Sequence, residues 1–301
     1  MEVLLPKALL KTMRPKQWVK NVFIFAALVF DVKLFKLAPL LNTVLAVIAF
    51  CLISSAVYLV NDLVDIEKDR QHPTKRNRPL PSGQLSPKVA LVAAIVIPVV
   101  VIPLSFVLSA PLGLIVGGYF ALMMFYSFYL KHIVIIDVMT IAAGFVLRVA
   151  AGVVVIDVAR FSPWLYVCMT LLAIFMGVGK RRHELFTLGE NANSHRAILE
   201  QYSIELIDQM SVVVTSAVIV AYSLYTFSAQ NLPKIDGQPL MMLTIPFVLY
   251  AVFRYQYLIH VKKEGGTPEE IVLKDMPLIL DLALYGIAVL VLMYMFSPNG
   301  T

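Results

Sequence analysis

Asn61-Asp62-x-x-Asp65-x-x-x-Asp69 is the stretch of this chain best suited to chemistry. On one continuing helix Asp62, Asp65 and Asp69 share a face, and Asn61 flanks it. Three carboxylates at that spacing repel one another, and a bound divalent cation relieves the repulsion. An all-oxygen set suits Mg2+, which takes one or two carboxylates and fills its shell with water and phosphate oxygens. With no cation, the same residues read as a solvated acidic helix end. A basic, proline-rich stretch follows directly, His72-Pro73-Thr74-Lys75-Arg76-Asn77-Arg78-Pro79-Leu80-Pro81-Ser82-Gly83. Prolines restrict its backbone, and arginine forks match phosphate oxygens. Carboxylates with metal on one side and Lys75, Arg76 and Arg78 on the other would clamp a diphosphate. The plainer reading is a charged loop that marks one side of a membrane.

Further cations stand elsewhere: Arg14 and Lys20 near the start, Lys131, and Lys180-Arg181 in Gly179-Lys180-Arg181-Arg182-His183-Glu184. Glu184 lies one turn beyond Lys180 and Arg181, placed to orient one of them. Asp137 and Arg148 are about three helical turns apart, so both line a site or both make structural polar contacts. Tyr126 and Tyr129 offer hydroxyls to a phosphate, although tyrosines near a membrane surface also serve as belt residues. Asp275 is either a site residue or a helix cap.

The elements that must position these residues are membrane helices. Of 301 residues, 59% are hydrophobic and 15% charged, with mean hydropathy +0.82; a soluble chain carries about a quarter charged residues. The sequence predicts an all-α integral membrane protein with about nine spans, near 17–36, 40–61, 89–108, 112–130, 133–156, 162–179, 211–230, 239–258 and 276–297. Ser109 to Gly113 supplies the turn between the third and fourth. With the N-terminus in the cytoplasm, 20 of the 25 Lys and Arg fall on the inner segments and four outside, with Arg148 inside a span. That bias is the one expected of cytoplasmic loops. The expected organisation is one polytopic membrane domain, 1–301, with active-site loops near 62–88, 131–132, 180–206 and 254–275. The first helix is expected to stay uncleaved, since no soluble domain follows it. Cys51 and Cys168 both fall in spans, which implies no disulfide framework. A net charge of +6 suits anionic headgroups or phosphorylated substrates at the cytoplasmic face. No nucleic-acid motif occurs.

The Asn61 to Asp69 and Lys75 to Gly83 stretches together resemble the first signature of the UbiA superfamily of intramembrane prenyltransferases. The resemblance implies nine helices around a central cavity, and Mg2+ that ionises a diphosphate ester. Most of that superfamily also carries a second Asp-x-x-x-Asp. Here Asp137 has Ile133 and Ile141 four residues to either side, and no other cytoplasmic loop supplies a pair. That absence disfavours an ordinary prenyl donor. Arg14 to Asn21, Tyr58 to Gly83, Gly179 to Leu185, Leu147-Arg148-x-x-Ala151-Gly152, Arg254-Tyr255 and Pro268 to Asp275 resemble the branch of decaprenyl-phosphate phosphoribosyltransferases. That resemblance implies transfer from 5-phosphoribosyl diphosphate to a polyprenyl phosphate in the plasma membrane, towards arabinofuranosyl lipid donors for the cell envelope. It implies Asn61, Asp62, Asp65 and Asp69 as metal ligands, and Asp62, Asp65, Lys75, Arg78 and Lys180 as catalytic residues. Arg14, Lys20, Tyr58, Arg76, Tyr126, Lys131, Asp137, Arg148 and Arg181 would meet substrate phosphates. A homo-oligomer is compatible with it. The competing expectations are a prenyltransferase acting on an aromatic or glycerophosphate acceptor, and a transporter of a phosphorylated lipid or sugar. The transporter would be marked by an inverted repeat, and none is evident.

Overall fold

The computed structural model describes residues 4–71, 75–156, 158, 162–188, 197–229, 232–263, 271–272, 274 and 275–296. His72 to Thr74, Arg196, Gly265-Gly266 and Pro268 to Glu270 lie outside them. By internal packing the chain divides into two compact units.

The first unit holds residues 1–28, 36–130 and 147–157. It begins with α1 (Leu4–Thr12), then a 3-10 helix over Pro15–Phe25 that passes into α2 (Ala26–Phe30). The long α3 (Leu37–Val64) is followed by short α4 (Ile66–Gln71), and α5 (Pro87–Leu108) turns into α6 (Ala110–Phe128) through Ser109 alone. Gly113 permits that corner: a Cβ there would overlap the Phe106 ring. Pro98 and Pro103 sit inside α5, as membrane helices tolerate.

A 3-10 run of eleven residues is unusual, since three or four is the common limit. Its threefold repeat puts Trp18, Asn21 and Ile24 on one face. Trp18 Nε1 donates to Ser55 Oγ at 3.1 Å, and Asn21 Nδ2 donates to Cys51 Sγ at 3.1 Å. Cys51 and Ser55 are one turn apart on α3, so a 3-10 face meets an α face in register. The Ile24 carbonyl closes on Gly152, where any Cβ would overlap it.

The second unit holds residues 29–35, 131–146 and 158–301. The helix α7 (Ile136–Val154) therefore contributes its first half to this unit and its second half to the other. Then come α8 (Pro163–Leu188), α9 (Ile204–Ser228), α10 (Ile245–His260) and α11 (Met276–Met295). Between α9 and α10, Lys234–Ile235 pairs with Gln238–Pro239 around Asp236-Gly237, both with positive φ, as a tight hairpin turn demands. Tyr222, Tyr225, Met241, Val289 and Met293 form one apolar core; Phe175, Val252, Tyr255 and Leu278 belong to another.

Eight helices among the described residues are long and apolar enough to cross a membrane. They match the last eight predicted spans within a few residues, except where α8 and α9 run on beyond the apolar stretch. The first predicted span, 17–36, is not one helix. It is the 3-10 segment, α2, and irregular chain from residue 31 to 36. The physical reason is its face of contact, which repeats every third residue. Eleven residues of 3-10 helix and five of α-helix still extend about 30 Å, the thickness of a hydrocarbon core.

Candidate active site

In the first unit α3 ends at Val64, and Asp65 sits at the break with φ −97° and ψ 11°. The i to i−4 ladder continues through it: Asp65 N donates to Asn61 O at 3.0 Å, and Asp69 N to Asp65 O at 2.8 Å. The acidic stretch is thus a kinked helix. Asp62 and Asp69 are buried, whereas Asn61 and Asp65 are half-buried. The two buried carboxylates converge on one atom. Arg78 Nη1 lies 3.2 Å from Asp62 Oδ1 and 2.7 Å from Asp69 Oδ2. Arg14 also donates to Asp62 Oδ1, and its guanidinium lies 4.8 Å from the centre of the Tyr58 ring. Lys75 Nζ stands 3.8 Å from Asp69 Oδ1. Arg14 itself has φ 55°, a costly backbone for a residue other than glycine.

The basic loop is held by its own turns and by two anchors. Arg78 N donates to Lys75 O, Ser82 N to Arg78 O, and Leu85 N to Pro79 O. Leu80 and Leu85 are buried against Leu59, Ala90 and Ala94. Nothing in the charge pattern singled these leucines out, though both are apolar in an otherwise polar loop. Arg76 points to the surface, exposed.

Deeper in the same unit Arg148 is buried. Its Nε donates to Asn21 Oδ1 at 2.7 Å and its Nη2 to Tyr119 Oη at 2.9 Å, with the guanidinium 4.7 Å from the Tyr119 ring centre. These contacts tie α7 to the 3-10 segment and to α6. Lys20, on the 3-10 segment, and Tyr58, on α3, are both half-buried. Tyr126 is half-buried on α6.

The second unit holds another buried set. Arg181 Nε donates to Asp137 Oδ2 at 2.5 Å, and its Nη1 donates to Glu184. Tyr202 Oη donates to Asp137 Oδ1 at 2.7 Å. Arg181 and Asp137 side chains are both 0% exposed. Lys180 and Lys131 are half-buried beside them in sequence. Glu184 does orient one of its two basic neighbours, Arg181. Burial, and then the bond to Asp137, pushes the Tyr202 phenol up to about 12. Arg182 donates to Asp208 and to the Ile259 carbonyl. Asp275 pairs with Arg254 through both oxygens, at 3.1 and 2.9 Å, and caps α11 by accepting from Leu278 N. The Arg254 guanidinium holds the Asp275 carboxyl below its usual range.

Among the described residues, no three or more His, Cys, Asp or Glu side chains gather as a metal cage. Asp62 and Asp69 nonetheless fit a divalent cation. Two buried carboxylates already share one positive nitrogen, and Mg2+ typically takes no more than that from a protein when phosphates supply the rest.

Residues 22–182 match the UbiA prenyltransferase family. The chain is 33% identical over 291 residues to a decaprenyl-phosphate phosphoribosyltransferase of Mycolicibacterium smegmatis, covering 94% of this chain and 91% of that one. It is 34% identical over 285 residues to the Mycobacterium tuberculosis protein of the same name, covering 92% and 91%. Its fold is similar to a UbiA homologue from Archaeoglobus fulgidus solved with DMAPP and Mg2+, with TM-score 0.73 at 19% identity over 94% and 98% of the two chains.

Proposed function

The chain belongs to the UbiA prenyltransferase family, and from that premise we propose that it transfers a 5-phosphoribosyl group. The donor is 5-phosphoribosyl 1-diphosphate, the acceptor is a polyprenyl phosphate, and diphosphate is released. The protein is a multi-pass membrane transferase. The observation that carries the substrate reading is its likeness, across more than nine-tenths of its length, to relatives bearing the phosphoribosyltransferase name. The charge inventory agrees. Arg14, Lys75 and Arg78 crowd two carboxylates in the first unit, a surplus of cations suited to substrates that are both phosphorylated.

Asn61, Asp62, Asp65 and Asp69 would hold Mg2+, which when bound neutralises charge on the departing diphosphate. Arg78 bridges the two buried carboxylates, Asp62 and Asp69. Its part-exposed guanidinium would grip phosphate oxygens in a bidentate manner. Lys75 and Arg76 stand on the same loop for the same purpose. Arg14, whose side chain is held by Asp62 and Tyr58, lies beside them with Lys20 a few residues on. Lys131 and Lys180, in the second unit, are further cations for substrate phosphate. A phosphate oxygen of the lipid attacks the anomeric carbon, and the ring oxygen shares the positive charge. No general base is required, because a phosphate monoester is largely ionised near neutral pH. The bias of Lys and Arg towards alternate connecting segments supports an N-terminus and reacting groups at the cytoplasmic side of the plasma membrane.

The test is label transfer. Purified protein, Mg2+ and ribose-labelled 5-phosphoribosyl diphosphate are mixed with polyprenyl phosphate, and the lipid is extracted. Label that enters the lipid and vanishes on chelation is expected. No label, alongside transfer from a prenyl diphosphate to an aromatic acceptor, would replace this reading with a prenyltransferase.

A further inference from the structure

Ile135 has φ 69°. A β-branched residue rarely adopts that left-handed backbone, and where it does the surroundings must enforce it. Its own side chain does not, being 46% exposed. The enforcement comes through the main chain. Ile135 N donates to Tyr202 Oη at 2.7 Å, and the same hydroxyl donates to Asp137 Oδ1 at 2.7 Å. Asp137 is fixed in turn by Arg181, and Arg181 by Glu184. Tyr202 arrives from the 3-10 turn Ala197–Gln201 and is seated among Val138, Val178, Ile198 and Ile207. Gly177 lets Val138 approach closely, since a Cβ there would lie 2.9 Å from Val138 Cγ1. One phenol hydroxyl thus accepts from a strained amide and donates to a buried carboxylate two residues on.

The strained residue ends a short segment with a job. Leu130–His132 forms a 3-10 turn, and Lys131 on it is one of the cations assigned to substrate phosphate. Relaxing Ile135 to an ordinary backbone would swing the chain on either side of it. We propose that Tyr202 is a positioning residue: by holding the Ile135 amide against Asp137 it fixes the turn that presents Lys131 to a substrate phosphate. The phosphate part rests on the transferase reading above; the brace does not.

Three variants separate the two. Tyr202→Phe keeps the packed ring and removes both hydrogen bonds. Ile135→Gly adopts positive φ without strain. The double variant asks whether the second change makes the first harmless. In steady-state transfer, Tyr202→Phe is expected to raise KM for one of the two phosphorylated substrates about tenfold. Its kcat should stay near wild type, and Ile135→Gly should restore most of the KM. Hydrogen exchange of the 130–137 segment, read without substrate, should quicken in Tyr202→Phe. Unchanged exchange overturns the brace. Quickened exchange with both KM values unchanged overturns the positioning of Lys131, as does a KM defect that Ile135→Gly leaves in full. A wild-type protein that transfers nothing overturns the phosphoribosyl reading, and Lys131's role with it, while exchange still decides the brace.

Discussion

Each unit contains two carboxylates joined by one arginine, and the two sets differ in what water can reach. In the first unit the side chain of Arg78 is 32% exposed, while Asp62 and Asp69 beneath it are nearly buried. In the second, Arg181 and Asp137 are both fully buried and only Glu184 touches solvent. Similar chemistry therefore serves different ends. A part-exposed guanidinium over two buried carboxylates can leave only as another cation takes its place from the water side, since uncompensated carboxylates there would be stranded. A sealed guanidinium cannot leave without stranding a buried charge. On the function proposed above the first set would exchange arginine for a metal, whereas the second is a fixed part of the frame.

The largest effect that would break this contrast is expected at Arg181. Arg181→Met should destabilise the protein by about 3–5 kcal/mol, seen as a lowered unfolding temperature in detergent that Mg2+ does not restore. A stable Arg181→Met protein would put Arg181 in the exchangeable class. Next is Arg78→Gln, expected to lower transfer about a hundredfold while Mg2+ raises its unfolding temperature more than that of wild type. An identical Mg2+ response in the two proteins would mean that Arg78 never occupies the metal's place. Asp275→Ala ranks third: loss of the cap on α11 should cost about 1 kcal/mol, with little change in Mg2+ dependence. A titration of stability sharpens the second set most finely. The Tyr202 phenol is raised from 10.0 to about 12, so its contribution is complete below pH 10 and lost as pH climbs towards 12. Wild type should lose stability over that window relative to Tyr202→Phe. Asp275, held below its usual 3.8, contributes in the opposite sense: its share is present above that pH and lost as pH falls further.

The sequence made the exchangeable set readable and concealed the sealed one. Asp62, Asp69, Lys75 and Arg78 lie within seventeen residues, so spacing alone brings them near one another. Asp137 and Arg181 are 44 apart, and each read alone resembles a cation or acid awaiting a phosphate. A search for a second acidic pair along one helix also could not find Asp137 with Glu184, because the two carboxylates come from different helices. The apolar helices announced themselves by length. The 3-10 segment did not, since its pattern of Trp18, Asn21 and Ile24 has a period that neither an α nor a β reading seeks. Ile135 carried no signal at all, because its backbone is imposed by a tyrosine 67 residues later.

That 3-10 segment also bears on how the protein is made. It carries Lys16, Lys20 and Asn21 within a short apolar stretch. Asn21 is satisfied by Cys51 on α3 and by Arg148 on the second half of α7. Residue 21 leaves the ribosome well before residue 148, so its amide can meet Cys51 early while its oxygen gains its donor only once the second half of α7 has been made. The seating of this segment is thus completed late in the building of its unit.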